Sequence, residues 1–363
     1  MIKSQRLLIC LAVAGALTAA SCSSGNSAAT TVSSTSTTLA PSTTLATTTT
    51  TSIASDTTMS STSTAPATPV MALTGEPITD QAKADRPALV VKIDNHPQAR
   101  PQSGLNQADI VIEENVEHLT RFAAVFQSQD ADPVGPIRSG RTQDVMMLGS
   151  LNKPLFAWSG GNGRVTAAID GSDLVDVGPY GAGAAAYFRD QSIKRDSEHT
   201  LYSRTPTLFA LAPAGAAPPL EQFHYLSSGA ASTGTPAVGV TLAMDGVNVK
   251  WAFDAASGSY LRQQDGKPHM VAGGGQVSAA NVVVLSVDYQ ASPADARSPE
   301  AQTLGTGPVT VFTAGKMITG TWTRSDRLQP FTLTDSSGEQ IQLTPGRTWV
   351  ELARVGKSTA VLS

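Results

Sequence analysis

The sequence predicts an α+β protein: an N-terminal mixed α/β domain, then a mostly antiparallel β domain, both behind a disordered tether. Three observations predict it. Every Trp, Tyr and Phe lies beyond residue 82, so a packed core begins only near Ile78. Between Ile78 and Leu226, short β-rich runs alternate with helical patterns, as in mixed α/β domains. From residue 237 onward, short strands are separated by Ser-Gly and Ala-Gly turns, the pattern of hairpins in an antiparallel sheet or sandwich. The expected boundaries are 1–21, 22–77, 78–226 and 237–360, with Ala/Pro/Gly-rich breaks at Leu211–Pro219 and Ser227–Pro236.

Residues 1–21 read as a signal peptide. Lys3 and Arg6 precede an apolar run from Leu7 to Leu17. Spanning a bilayer takes about 20 apolar residues, so this run is too short for a transmembrane anchor. Ala19-Ala20-Ser21-Cys22 resembles a bacterial lipobox, with Ala19 where Leu is commoner. On that reading Cys22 carries a diacylglycerol, and the chain sits outside the cytoplasm on the outer face of the cell membrane. The alternative is ordinary secretion with a cut near Cys22. Cys10 leaves with the signal, so the mature chain forms no internal disulfide. Ser and Thr occupy 28 of the 44 positions from Ser23 to Pro66. So little apolar surface cannot offset the entropy of ordering, and the segment predicts a coil spanning about 40 Å. It is a plain spacer or an O-glycosylated stalk.

In the first folded segment, Ala88–Ile93 reads as a buried strand and Asp109–Val116 with Arg121–Gln127 as a hairpin. Thr142–Leu151 reads as a helix, Leu155–Trp158 as a strand, and Gly163–Asp170 and Thr205–Leu211 as short helices. In the second, Val238–Met244 is strand-like and Val249–Asp254 with Ser259–Gln263 forms a hairpin. Asn281–Tyr289 is a central strand, and Pro308–Thr313 with Met317–Thr323 is another hairpin. Phe331–Asp335 pairs with Gln340–Leu343, and Arg347–Ala353 closes the series. Trp251, Trp322 and Trp349 lie on these strands and read as core more than as a sugar-stacking face.

Charged residues are 15% of the chain and the net charge is -4, which excludes a basic nucleic-acid footprint. Two cysteines exclude a disulfide scaffold and a cysteine-only zinc site. His118, His199, His224 and His269 show no metal-ligand spacing, and His199 in Arg195-Asp196-Ser197-Glu198 reads as solvated loop. No metal or cofactor is expected. The first polar cluster follows the Ala88–Ile93 strand: Asp94, Asn95, His96 and Arg100 stand at the rim of a sheet, where α/β ligands often sit. Asp94 and His96 suit acid–base or metal chemistry, plain binding, or simply a turn. The second cluster is Arg138-Ser139-Gly140-Arg141 before the 142–151 helix. Two guanidiniums at a helix start suit an anion, with Ser139 or Thr142 as N-cap; alternatively each pairs with Glu113, Glu114 or Glu117. Alternation puts Asp109, Val111 and Glu113 on one face and Ile112 and Glu114 on the other.

Several long motifs in order resemble the YerB-like bacterial lipoproteins. They are Val90–Glu117, Thr120-Arg121-Phe122, Gly135–Arg141, Asn281–Tyr289, Gly315–Trp322 and Gln340–Leu352. The resemblance covers roughly 80–355 and implies two domains of unknown function, with no catalytic residues to carry over. The expected function is therefore a lipid-anchored envelope protein, held to the membrane through Cys22. It binds cell-wall material or an envelope protein, without catalysis, through Asp94, Asn95, His96, Arg100, Glu113, Arg138, Ser139 and Arg141. The alternatives are a hydrolase of envelope polymers or phosphoesters and a structural assembly factor.

Overall fold

The computed structural model describes residues 69–362 save Ile193, Ser228 and Ser358; the signal segment, Cys22 and the tether up to residue 68 lie outside the described residues. The end of the expected tether, 69–77, differs from a coil: Val70 bridges Pro77, and Met71, Leu73 and Thr74 are buried, so the core begins before Ile78 because Leu73 packs into it. After helix α1 (Gln81–Asp85) come β1 (Leu89–Asp94), β2 (Ile110–Val116) and β3 (Leu119–Phe126). They are followed by α2 (Gln143–Met147), β4 (Leu155–Ala157), α3 (Gly163–Asp170), β5 (Val175–Asp176) and α4 (Thr205–Phe209). The second half supplies β6 (Gly239–Met244), β7 (Val247–Asp254), β8 (Ser259–Gln264), β9 (Asn281–Val287) and β10 (Gly305–Thr313). It ends with β11 (Lys316–Arg324), β12 (Thr332–Asp335), β13 (Thr348–Arg354) and β14 (Thr359–Leu362). The fold is α+β with a β-rich C-terminal part.

One mixed sheet runs through both halves in the order β12-β11-β10-β9-β13-β2-β3-β1-β4-β5. The predicted hairpins β2/β3, β7/β8 and β10/β11 all form antiparallel ladders. The last expected strand behaves differently. Instead of closing an antiparallel series, β13 inserts mid-sheet, parallel to β9 and to β2. Its residues Thr348–Ala353 are buried, as expected for a strand covered on both faces. Leu343 of the expected 331–343 hairpin pairs with Tyr225 instead, leaving a single bridge between Thr334 and Gln340. The 142–151 helix stops at Met147, and a 3-10 turn, Gly149–Leu151, replaces its last turn. Gly149 lies so close to the Arg327 carbonyl that a Cβ there would meet it at 2.6 Å.

Strand alternation splits the core in two. Leu89, Val91, Phe122, Val111 and Trp349 face the smaller antiparallel sheet of β6, β7, β8 and β14, with α4 on the same side. Val90, Val125, Ile110, Val350 and Leu285 face α2, α3 and the 148–151 turn. Trp251 and Trp349 are buried with ring centres 5.2 Å apart, and Trp322 packs edge-on to Phe331 at 5.7 Å.

A polar cluster lies between the two sheets. Arg262, on β8, donates to both carboxylate oxygens of Glu113 at 2.9 and 2.8 Å, with side chains wholly buried. The β2/β13 register sets Glu113 beside Glu351, whose Oε1 accepts from Trp251 at 2.7 Å. Two buried carboxyls thus lie side by side, and only Glu113 is hydrogen-bonded to the guanidinium. Burial, then the Glu113 charge, pushes Glu351 well above 4.5, and Arg262 only partly offsets them. The folded chain therefore keeps the Glu351 proton to higher pH than the unfolded chain does. The Glu351 contribution to stability is full below pH 4.5 and is lost as pH rises toward the folded value. Between those limits unfolding free energy should fall by up to about 1.4 kcal/mol per pH unit from this group. Glu351→Gln, a mimic of the neutral acid, should remove that slope in urea titrations between pH 5 and pH 8, taken as roughly the range of greatest stability. An unchanged slope would mean that Glu351 is ionised in the fold.

Candidate functional site

Parallel strands β1, β4 and β5 end at one edge, and the crevice beyond such ends is the usual ligand position in open α/β sheets. Asp94 ends β1, the loop Trp158-Ser159-Gly160-Gly161 follows β4, and Asp176 ends β5. The Arg138–Arg141 loop is laced to the β4 loop: Ser159 N donates to Arg138 O at 3.0 Å and Gly140 N to Gly160 O at 3.2 Å. Gly140 permits this approach, since a Cβ there would meet the Trp158 ring at 2.8 Å. Gly160 has φ +93° and lies under the Tyr180 ring.

Beside these loops opens a cleft of about 720 Å³. Its walls are Ser139, Arg141, Glu117, the 158–162 loop and Thr166, with Asp170, Asp176 and Tyr180. The segment Ser292–Ser298 from the second half closes the far side. Trp158 forms the floor, and its indole N–H donates to Asp176 Oδ1 at 2.7 Å. Tyr180 stands 69% exposed at the lip. Asn162 caps α3 by accepting from Arg164 N and Val165 N, each at 3.0 Å.

The structure separates the expected site residues into three groups. Ser139 and Arg141 line the cleft. Arg141 is held by Glu117, with Nε to Oε1 at 3.1 Å and Nη2 to Oε2 at 2.6 Å. Partial burial alone would raise Glu117, but hydrogen bonds from Arg141 and Ser298 and the Arg141 charge hold it at about 2. The expected anion position at the start of α2 is filled by the helix's own Asp144, whose Oδ2 accepts from Arg141 N at 2.7 Å. Thr142 stands at the N-cap without a capping bond; its hydroxyl contacts Ser292 and Glu300 instead.

Asp94, His96 and Arg138 form the second group, just outside the cleft. Asp94 Oδ2 lies 3.3 Å from Arg138 Nε and 2.7 Å from His199 Nδ1. Arg138 also reaches Glu198 at 2.8 Å, and His96 stacks flat on His199 with centres 4.4 Å apart. His199 was expected in a solvated loop, yet it is 1% exposed. Its charged neighbours hid it: Glu198 is exposed and reaches Arg138, while the imidazole turns in toward Asp94.

Asn95, Arg100 and Glu113 form the third group, which is structural. Asn95 donates to Thr120 Oγ1 at 2.7 Å and to Gln264 Oε1 at 3.1 Å, and Arg100 donates to the Asn95 carbonyl at 2.9 Å. Thr120 donates to Glu113, which Arg262 grips. His269 closes the network beside Arg262 Nη1 and Gln102 Oε1, at 2.6 and 2.8 Å. Burial, then the charges of Arg262 and Arg100, lowers it well below the usual histidine value, so it is neutral. Sequence reasoning missed Arg262 and His269. The signal was the β8 alternation that puts Arg262 in line with buried Tyr260.

Beneath the cleft, Lys92 bridges Glu114 and Asp144, the latter at 2.8 Å, all three side chains fully buried. Burial and the neighbouring Asp144 lift Glu114 to about 7 against the pull of Lys92. Arg121, 8% exposed, donates to the Ser139 carbonyl at 2.9 Å, and burial with repulsion from Arg141 lowers it to about 10.

An α+β protein with a shared mixed sheet and a polar cleft at its parallel edge is the class these features define. Residues 73–216 match the N-terminal domain, and 240–350 the C-terminal domain, of a family described as protein of unknown function (DUF3048). The lipoprotein candidate YerB of Bacillus subtilis (strain 168) is 27% identical over 295 residues, 76% of this chain and 83% of that protein. The crystal structure of YerB protein from Bacillus subtilis superposes with a TM-score of 0.67 at 23% identity, covering 80% of this chain and 99% of that one. With both domains matched in order, the chain belongs to this two-domain family of unknown function, of which YerB is a relative.

Removing the guanidinium that holds Glu117 should free its carboxyl. In Arg141→Ala, the Glu117 side-chain carbon followed by NMR should titrate near the ordinary value of 4.5 and not at about 2. A titration that stays near 2 would assign the depression to another group.

Proposed function

We propose that the protein is an envelope lipoprotein, held at the outer face of the cell membrane by a lipid on Cys22, whose cleft binds a polar cell-wall chain without transforming it. The observation that carries the reading is the cleft at the β1/β4/β5 edge. Its volume of about 720 Å³ falls in the range of ligand sites. Its lining supplies hydroxyls from Ser139, Ser159, Thr166, Ser292 and Ser298, carboxylates from Asp170 and Asp176, and the exposed Tyr180 ring. Such a lining hydrogen-bonds a hydroxyl- and amide-rich chain, and an aromatic lip gives it a flat apolar face to lie against. Arg141 is already engaged by Glu117, so the cleft does not favour a purely anionic ligand. A hydrolase would draw on Asp94, His96 or Glu113, but none of the three lines the cleft, and Glu113 is wholly buried against Arg262. Acid–base chemistry needs hydrogen-bond reach to a substrate.

Two experiments test this. Isothermal calorimetry with a soluble enzymatic digest of cell wall should give saturable binding, weakened at least tenfold by Tyr180→Ala with the circular-dichroism spectrum preserved. Equal affinity in that variant would remove the cleft from the reading. Labelled fatty acid fed to cells should be incorporated into the protein and not into Cys22→Ala; equal labelling of the variant, or no labelling of the native chain, would overturn lipid anchoring at that residue.

A further inference from the structure

The cleft has a neighbour of opposite charge. A second cleft of about 510 Å³ is lined by His118, Asp245, Tyr289, Arg297, Arg354 and Lys357, among others. Ser298 lines both clefts. The turn between β2 and β3 also serves both, with Glu117 in the first and Val116 and His118 in the second. The two hollows therefore meet across a saddle made of residues 116–118 and 295–299.

Their charges differ in sign. The first cleft is lined by Glu117, Asp170, Asp176, Asp295 and Arg141; Glu117 is paired with Arg141 and Asp295 with Arg297 of the saddle, which leaves Asp170 and Asp176. Among the described residues, Asp170 and Asp176 have no cationic partner. Asp170 also ends α3, where the helix dipole is negative and a carboxylate is unfavourable, so its charge does not serve the helix. The second cleft sets Arg354 and Lys357 against Asp245, while Arg297 at the saddle is taken by Asp295, with Nε to Oδ1 at 3.1 Å and Nη2 to Oδ2 at 2.8 Å. Arg354 takes both Asp245 oxygens, with Nε at 3.1 Å from each, and lies 4.4 Å from the Tyr289 ring centre. Lys357 stands 4.0 Å from the same carboxylate, so its charge is largely in surplus.

We infer that the two clefts form one trough for a zwitterionic chain, with an ammonium group held on the Asp170/Asp176 side of Ser298 and a carboxylate on the Lys357 side. A dication or a dianion would meet one repulsive half, whereas a chain with one group of each sign is attracted by both. The charges are exposed, so the preference weakens as salt screens them over about 8 Å at physiological ionic strength. This inference rests on the ligand-binding reading and names its ligand class.

The test uses the full folded chain and three forms of one soluble cell-wall digest: untreated, amine-acetylated and carboxyl-amidated. The untreated digest should bind about tenfold more weakly to Asp170→Asn and to Lys357→Gln. The acetylated digest should bind the native chain about tenfold more weakly and lose its response to Asp170→Asn while keeping that to Lys357→Gln. The amidated digest should show the reverse. Equal binding of all three forms, or the opposite pairing of group and variant, would overturn the trough and leave the binding reading intact. Failure of every form to bind would remove both.

Discussion

Everything in this fold depends on where β13 goes. It lies parallel between β2 of the first half and β9 of the second, and it makes one sheet out of two sequence segments. Its two faces supply both cores, Trp349 on one and Val350 with Leu352 on the other. The same insertion places Glu351 beside Glu113, and the fold meets that like-charge contact with Arg262 and with a retained proton. Breaking a buried pair by deleting one partner costs about 3–5 kcal/mol, so Arg262 is tied to the sheet that β13 completes.

The clefts follow from this seam. The second half reaches the parallel edge of the first only because β9 and β13 carry it there, and the 292–298 segment that closes the main cleft follows directly from β9. Charge is distributed accordingly. Below the cleft, Lys92, Glu114 and Asp144 neutralise one another out of solvent, while Asp170, Asp176 and Lys357 at the surface are left without full partners. Buried ionic groups here serve the architecture, and incompletely paired surface ones mark the trough.

Local features were legible in the sequence, and long-range ones were not. The hairpins β2/β3, β7/β8 and β10/β11 follow from alternation and turn residues, which act over a few positions. The opposite facing of Glu113 and Glu114 follows from the same period. The parallel partners of β13 lie over 60 residues away on one side and over 230 on the other, and no local pattern encodes that choice. The polar motif 94–104 was legible as a sheet-rim turn, yet its members diverge. Asp94 and His96 turn toward His199, whereas Asn95 and Arg100 turn toward the second sheet. Of the arginine pair, Arg141 reached the cleft and Arg138 went to Asp94. The strand before the Gly-rich loop at 159–161 was legible, but the loop itself was passed over because Ser159-Gly160-Gly161-Asn162 carries no charged side chain to mark a site.

If β13 joins the halves as argued, the two sequence segments open together. Native-state hydrogen exchange under increasing urea measures this directly, residue by residue. Amides of β1 and β3 and those of β9 and β10 should converge on one opening free energy and one urea dependence. Separate plateaus, with one half exchanging through an opening that leaves the other closed, would contradict the account.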